Sequence, residues 1–111
     1  MQYTGQNMTY AQEYPMASHY IVLLGDSPVG RLIVDRRTDS IHGVDLSVLP
    51  IYRNLGVGTK VLTKLFDECS DRRVPFTLSV IKTNPAVRLY ERLGLRIDGD
   101  LGTHYSMRLV Q

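Results

Sequence analysis

The sequence of 111 residues has few of the features that mark several protein classes. Its single cysteine, Cys69, excludes an intrachain disulfide scaffold, and no cluster of Cys and His has the spacing of a structural zinc site. Apolar runs such as residues 21–24 are far too short to span a bilayer. The first 14 residues carry Glu13 as their one charge, unlike a secretory signal. We therefore expect no metal, no membrane association and a cytoplasmic location.

An excess of charge of one sign is also missing. The formal net charge is +2, from 13 Lys+Arg and 11 Asp+Glu. Residues 1–52 hold 3 of these basic side chains and 5 of the acidic ones, so residues 53–111 hold the remaining 10 and 6. Proteins that bind nucleic acid usually show a stronger and more clustered basic excess. We expect no nucleic-acid partner, and the basic second half is either a mixed solvated surface or the binding site of a small anion.

What is present is the pattern of one α/β domain. Apolar residues make up 43% of the chain, which is ordinary for a globular domain of this length. Alternating and β-branched runs predict strands, and Val61, Leu62, Leu65, Phe66 and Cys69 mark one face of a helix. The predicted order is β-β-β-α-β-α-β-β, a mixed sheet containing a strand–helix–strand crossover. The strands are expected at residues 20–24, 29–34, 41–49, 75–81, 95–98 and 104–110. One helix is expected to start at residues 56–58, and a second to begin at Pro85 with Asn84 as its N-cap.

The remaining residues at the N-terminus are predicted to stand apart from this domain. Residues 1–18 are polar with scattered Tyr and Met, and they are expected to form an arm or a short helix ending at Pro15. The domain itself is expected over residues 19–111.

The strongest local signal is the segment Arg53-Asn54-Leu55-Gly56-Val57-Gly58, between a predicted strand and an amphipathic helix. Two glycines one residue apart allow a tight turn with no Cβ in the way. The free N–H groups of the first helical turn then face outward, where the helix dipole favours an anion such as a phosphate. The segment is neither a P-loop nor a dinucleotide-binding fingerprint, because Lys and Thr stand in the wrong order and a third glycine is missing.

Two segments together resemble the GNAT superfamily of acyl-CoA-dependent N-acetyltransferases. Arg53-x-x-Gly56-x-Gly58 is similar to the Q/R-x-x-G-x-G/A signature of that family, and it follows a strand ending in Leu46-Ser47-Val48-Leu49-Pro50. Residues 84–95, with the sequence NPAVRLYERLGL, are similar to the N-x-A-x-x-L-Y-x-x-x-G-F segment of the family, with Leu95 replacing the usual Phe. The resemblance covers about residues 19–110 and implies a GNAT-like fold.

The resemblance implies a cofactor, acetyl-CoA (coenzyme A), and a set of residues that hold it. The strand before the glycine turn would pair through its backbone with the pantetheine arm, and a bulge in that strand would open a V-shaped cleft. Residues 53–59 would wrap the pyrophosphate, and Asn84 would contact the cofactor. The implied cofactor-binding residues are Leu46, Ser47, Val48, Arg53, Asn54, Leu55, Gly56, Val57, Gly58, Thr59 and Asn84.

The resemblance also implies catalytic residues. Tyr90 matches the tyrosine that protonates the departing CoA thiolate. His42, eleven residues before Arg53, stands where several members carry a Glu or His that deprotonates the amine directly or through water, and an imidazole titrates near neutral pH. Asp45 is a second candidate for that role, although regular alternation places it on the opposite face from His42 unless a bulge intervenes. His19 and His104 are expected to be surface residues without a role.

The implied function is transfer of an acetyl group to a primary amine of a small molecule, peptide or protein. A non-catalytic CoA-binding or assembly module is the alternative, and acetylation of charged tRNA is a weaker option. GNAT domains begin with a strand and two helices, and the residues before His19 are too few for that whole unit. We therefore expect a fold lacking that strand and most of those helices, with the uncovered sheet face buried in a homodimer.

Overall fold

A computed structural model describes residues 14–110 of the chain. The described residues form a six-stranded mixed sheet with two α-helices, which confirms the predicted fold class and element order. The sheet order is β1-β2-β3-β4-β6-β5. The strands are β1 (Ser18–Leu24), β2 (Ser27–Arg36), β3 (Ile41–Val48), β4 (Phe76–Ile81), β5 (Leu95–Asp100) and β6 (His104–Leu109), the helices are α1 (Val57–Arg72) and α2 (Ala86–Arg92), and a short 3-10 helix covers Pro50–Tyr52.

Most predicted boundaries agree with these elements to within two residues. In the first hairpin the turn is tighter than expected, because Gly25 has a φ of 62° and lets β2 begin at Ser27. At the start of α2, Asn84 lies one residue further out than predicted and Pro85 occupies the cap position. The Asn84 side chain still serves this end, since its Oδ1 accepts a hydrogen bond from the Ala86 N–H at 2.9 Å.

One face of the sheet, here called the helix face, packs against both helices. Leu32 of β2, Leu78 of β4 and Met107 of β6 are buried in the same cluster as the apolar stripe of α1 and Tyr90 of α2. Cys69 of that stripe is fully buried, and burial raises the pKa of its thiol to about 11. The thiol therefore packs as a small apolar group and carries no nucleophilic role.

The opposite face of the sheet, here called the second face, is polar along its middle but contains buried positions. Ile33 is fully buried, and its cross-strand partner His19 is 6% exposed. The expectation that His19 is a surface residue is therefore wrong, because its place in β1 opposite Ile33 removes it from solvent. The predicted arm over residues 1–18 lies mostly outside the described residues, which begin at Tyr14.

Neither helix within residues 14–110 is long and apolar enough to cross a membrane.

Candidate active site

The sheet splits between β3 and β4. These two strands are parallel and pair only through Ile41–Phe76, His42–Thr77 and Gly43–Leu78 within the described chain. After Gly43 the strands diverge, so the remaining residues of β3 face an open space where β4 would otherwise be. The gap lies between the ends of the strands that precede α1 and α2.

A β-bulge in β3 lies at the point where the strands separate. On the β2 side Ile33 pairs with Asp45 and Val34 pairs with Gly43, which leaves Val44 as an extra residue. Such an insertion bends the strand and increases its local twist. The bulge also changes the side-chain alternation, because Asp45 and His42 oppose Ile33 and Asp35, which share one face of β2. Asp45 and His42 therefore lie on the same face of the sheet.

The larger of two spaces at the split, here called the outer cleft, has a volume of about 740 Å³. It runs between the end of β3, the turn before α1 and the start of α2. Ten of the eleven predicted cofactor-binding residues line it, and the eleventh, Leu55, lies outside the lining with 59% of its surface exposed. The lining residues that were predicted are Leu46, Ser47, Val48, Arg53, Asn54, Gly56, Val57, Gly58, Thr59 and Asn84.

The start of α1 faces the outer cleft with free backbone donors. Gly56 has a φ of 77°, and a Cβ built there would meet nothing within 4 Å. The first backbone hydrogen bond of the helix runs from the Lys60 N–H to the Gly56 carbonyl at 3.0 Å. In the described chain no side chain caps this end, and its first turn has no acidic residue. The N–H groups before Lys60 are thus available to an anion.

Three polar residues that the sequence analysis missed also line the outer cleft. Arg88 and Arg92 of α2 lie four residues apart on one side of that helix, and Tyr52 lies in the 3-10 helix. Arg53 donates a hydrogen bond from Nε to the Val48 carbonyl at 3.1 Å, and with the two arginines of α2 it gives this space three cationic side chains against one carboxylate, that of Asp45. The i, i+4 spacing of the two arginines next to Asn84 was a signal that could have found them.

A smaller space, here called the inner cavity, adjoins the outer cleft at the split between β3 and β4 and has a volume of about 130 Å³. The two spaces share Asp45, Leu46, Asn84 and Tyr90 in their linings. His104 is half-buried and lines the inner cavity, a position that the sequence analysis did not predict. The register of β6 against β4, with His104 opposite Ile81, brings it there. The other lining residues are Leu32, Gly43, Val44, Leu62, Leu65, Phe76, Leu78, Ser79, Val80 and Ile81.

Tyr90 lies where the outer cleft meets the inner cavity. Only 5% of this residue is exposed, and no hydrogen bond joins its hydroxyl to another residue of the described range. No buried polar side-chain atom of that range lacks a partner, so the hydroxyl oxygen faces the open space. Burial raises the pKa of Tyr90 above its usual 10.0, and the nearby charge of Asp45 raises it further. The phenol therefore stays protonated at neutral pH and can donate a proton.

The two predicted candidates for a base lie in different surroundings. Asp45 lines both spaces, and its Oδ2 accepts hydrogen bonds from Arg31 Nη2 at 2.8 Å and Nε at 3.1 Å. His42 is absent from both linings. Its Nδ1 is 2.8 Å from Thr77 Oγ1, and its ring stacks on Tyr14 with centroids 5.9 Å apart.

The buried setting of His42 leads to a prediction about stability and pH. Burial lowers the pKa of His42 from 6.5, the charge of Arg37 lowers it further, and Asp35 opposes both. The unfolded chain therefore binds more protons than the native chain, and the free energy of unfolding should fall as the pH drops below about 6.5. Urea unfolding from pH 8 to pH 5 should show a smaller loss in His42→Asn than in the natural protein. Equal losses in the two proteins would contradict this account.

A protein-family profile agrees with the geometry. The profile described as the acetyltransferase (GNAT) family matches residues 2–95. The chain belongs to the GNAT family. No curated protein is detectably similar in sequence.

Solved GNAT structures share the fold across nearly the whole chain. A GNAT family acetyltransferase from Elizabethkingia anophelis with acetyl-CoA bound is 11% identical, covers 95% of this chain and 84% of its own, and has a TM-score of 0.77. Arabidopsis thaliana Naa50, in complex with the bisubstrate analogue CoA-Ac-MVNAL, is 20% identical, with coverages of 97% and 83% and a TM-score of 0.79. The ribosomal-protein-S18-alanine N-acetyltransferase from Escherichia coli is 22% identical, with coverages of 96% and 77% and a TM-score of 0.76.

This GNAT protein is an N-acetyltransferase that uses acetyl-CoA, as the sequence motifs predicted. Its own residues fit that group. The uncapped start of α1 and the arginines of the outer cleft suit phosphates. On the side toward β4, β3 after Gly43 offers unpaired peptide groups to an amide-containing arm. Bound there, acetyl-CoA supplies an acetyl group activated as a thioester.

Proposed function

We propose that this chain transfers the acetyl group of acetyl-CoA to a primary amine of a small molecule, a peptide or a protein. The observation that carries the proposal is the place of Tyr90, which lines both the outer cleft, with its arginines and free backbone N–H groups, and the inner cavity at the split of the sheet. A protonated phenol at this junction would meet the sulfur end of a ligand whose phosphates lie at the start of α1. Tyr90 would then protonate the sulfur as it leaves.

The proposed binding of CoA uses the outer cleft from end to end. Gly56, Val57, Gly58 and Thr59 would present backbone N–H groups to the pyrophosphate, with Arg53, Arg88 and Arg92 compensating its charge. The backbone of Leu46 to Val48 would pair with the pantetheine arm, and Asn84 would contact it from the start of α2. Because Leu55 lies outside the lining of the outer cleft, we assign its side chain no contact with CoA.

For the base, the geometry favours Asp45 over His42. An acceptor amine must lose a proton at the place where the acetyl group is delivered, and Asp45 lines that place whereas His42 does not. The carboxylate would also attract a protonated amine before transfer. His42 would support this wall through its Thr77 contact. If Asp45 is the base, Asp45→Asn should lose the acidic limb of the pH–rate profile and His42→Asn should keep it. Loss of that limb in His42→Asn but not in Asp45→Asn would overturn the assignment.

The experiment that tests the function is turnover of acetyl-CoA with a panel of amines. The panel should contain polyamines, amino acids, lysine-containing peptides and peptides with free N-termini, and mass spectrometry should identify the acetylated atom. Naa50 bound to a peptide-derived analogue and the ribosomal-protein acetyltransferase share this fold, which supports including peptides. A protein that binds CoA tightly yet acetylates nothing in the panel would point instead to a non-catalytic CoA-binding module.

We also propose that the chain forms a homodimer. Support comes from β1 at one edge of the sheet, where Leu23 and Leu24 are 38% and 45% exposed, and from Met16, which is 85% exposed just before it. Pairing such surfaces across a twofold axis would remove apolar area from water. Light scattering should give twice the mass of one chain, and deletion of residues 1–14 should weaken the association. A single-chain mass at micromolar concentration with normal thermal stability would refute the dimer.

A cytoplasmic location is proposed as well. The free thiol of Cys69 is compatible with a reducing compartment, where thiols persist. Cell fractionation with an antibody to the protein would test the location.

A further inference from the structure

A row of directly opposite residues crosses the second face of the sheet and ends in two arginines. The pairings between strands give its members in order as Asp35 of β2, His42 of β3, Thr77 of β4, Arg108 of β6 and Arg96 of β5. Alternation along β6 places Arg108 on this face, because its neighbour Met107 is buried in the core cluster on the helix face. Both arginines are exposed, so this end of the second face presents two positive charges to solvent.

Arg96 and Arg108 stand together without a counter-ion. Residues directly opposite on antiparallel strands have Cβ atoms about 5 Å apart, and like charges at that spacing repel each other. Within residues 14–110 neither arginine takes part in an ion pair. Asp98, at the bulge of β5, pairs with neither of them, and Asp100 is held by Lys82 at 2.6 Å. A carboxylate bound between the two guanidinium groups would relieve the repulsion and use their free donors.

The carboxylates on the β2 and β3 strands of this face are already matched by other arginines. Arg31 Nη2 lies 2.8 Å from Asp45 Oδ2, and Arg37 Nε lies 2.9 Å from Asp35 Oδ2. These two ion pairs neutralise the acidic side chains of that half of the face. The β5–β6 end therefore keeps a net positive charge that favours an anionic partner.

We propose that the acceptor is an acidic peptide with a free N-terminus, whose amine reacts at the split while a carboxylate further along binds between Arg96 and Arg108. The inference rests on the proposed function, which brings the acceptor amine to Asp45. One end of the acceptor site then attracts a positive group and the other end attracts a negative one. A polyamine or a basic peptide would meet repulsion at the arginines.

The spacing along β6 sets the position of the carboxylate. Asp45 and His104 line the inner cavity, and Ser79 and Ser106 lie opposite each other between this cavity and the arginines. Strands rise about 3.3 Å per residue, so Arg108 lies about 7 Å beyond Ser106 and about 13 Å beyond His104. An extended peptide covers that distance in two to four residues at the same rise. The acidic side chain is therefore expected at the third or fourth residue.

An N-terminal amine suits this arrangement better than two other amines. A free amino acid carries its carboxylate next to its amine, too close to reach the arginines from the split. A lysine side chain would hold the peptide backbone away from the sheet by its four-carbon stem. An N-terminal amine brings the backbone itself to the second face, which keeps the next side chains within reach of Arg96 and Arg108.

The transfer step balances without any further reactant. The N-terminal nitrogen forms a bond to the acetyl carbon with its lone pair, and the bond from that carbon to sulfur breaks with its electron pair going to sulfur. One proton leaves the nitrogen to Asp45, and one proton passes from Tyr90 to sulfur. The products are an N-terminally acetylated peptide and free CoA.

Acetylation of synthetic octapeptides whose only amine is the N-terminus tests the proposal. Glutamate is placed at each position from the second to the eighth in an alanine and serine background, with glutamine or arginine at the same position in the matched peptides. At the third or fourth position, kcat/KM should be about fivefold higher with glutamate than with glutamine, and lowest with arginine. Equal values for glutamate and glutamine at every position would overturn the proposal, as would turnover of other amines but of no peptide. Failure to acetylate any amine would instead overturn the proposed function.

Variants of the two arginines locate the effect. Arg108→Gln and Arg96→Gln should each reduce the preference for glutamate through KM, with turnover of the glutamine peptide unchanged. Lys64→Gln is the matched control, because Lys64 is exposed on α1 and lines neither the outer cleft nor the inner cavity. It should keep the full preference. Arg108→Glu should favour the arginine peptide over the glutamate peptide, a reversal that a folding defect would not produce. An unchanged preference for glutamate in the double variant Arg96→Gln, Arg108→Gln would overturn the proposal.

Discussion

Replacing Gly58 by aspartate is expected to abolish CoA binding. A Cβ at Gly58 would lie 3.4 Å from Leu89 Cδ2 and 4.0 Å from Leu46 Cδ2, so the added side chain has little room to turn away from the cleft. Its carboxylate would stand in the first turn of α1, where the free N–H groups face the proposed pyrophosphate. Repulsion between the two negative charges adds to the loss of space.

The measurement is calorimetry and thermal shift with millimolar CoA. The natural protein should gain about 2.7 kcal/mol of stability when CoA is present at 100 times its dissociation constant, and Gly58→Asp should gain none. Gly58→Asn is the matched control, because it has almost the same shape without the charge. It should bind CoA more weakly than the natural protein but more tightly than Gly58→Asp. If Gly58→Asp binds CoA with unchanged affinity, the phosphates of CoA do not bind at this turn.

Tyr90→Phe is expected to lower kcat by about 100-fold, the usual contribution of a positioned proton donor. The ring would still fill its place in the core cluster, since the change removes only the hydroxyl oxygen. CoA affinity should therefore change little, and the loss should fall on kcat rather than on binding. The raised pKa of Tyr90 means that the natural enzyme should keep this donor protonated well into the alkaline range.

Tyr105→Phe is the control for that experiment. Tyr105 also packs against the core, but it lines neither the outer cleft nor the inner cavity, and Lys82 lies over its ring. Its kcat should match that of the natural enzyme. A kcat that is unchanged in Tyr90→Phe at saturating substrate would rule out the proposed role of this hydroxyl.

Local sequence patterns were enough to predict the helices and strands, and also the glycine turn that lines the outer cleft. The helical spacing of Val61, Leu62, Leu65 and Cys69 and the glycine turn before them are properties of a few neighbouring residues. The bulge at Val44 is different, because it is defined only by the pairing of β3 with β2. Without it, alternation separates His42 from Asp45, and the sequence alone left that point open.

The residues missed at the site share one cause. His104 reaches the inner cavity through the register of β6 against β4, and Arg88 reaches the outer cleft through the placement of α2 beside α1. These contacts join segments that are distant in the chain, so nothing near His104 in the sequence reveals its position, whereas the spacing of Arg88 and Arg92 next to Asn84 was a local signal for the arginines. Burial of His19 has the same origin in the pairing of β1 with β2.

Because pairing between β3 and β4 ends early, this sheet has two inner edges besides its two outer ones. Besides the outer strands β1 and β5, the stretch of β3 after Gly43 and the facing stretch of β4 after Leu78 present peptide groups to a gap that no described strand fills. A free edge normally invites another chain to add a strand and begin aggregation. Here the two halves diverge in front of the edge, and Leu62 and Leu65 of α1 lie behind it, so a flat sheet from a second molecule has no room to dock. The unpaired N–H and C=O groups of β3 thus stay accessible to a narrow ligand but not to a strand from a second copy of the protein.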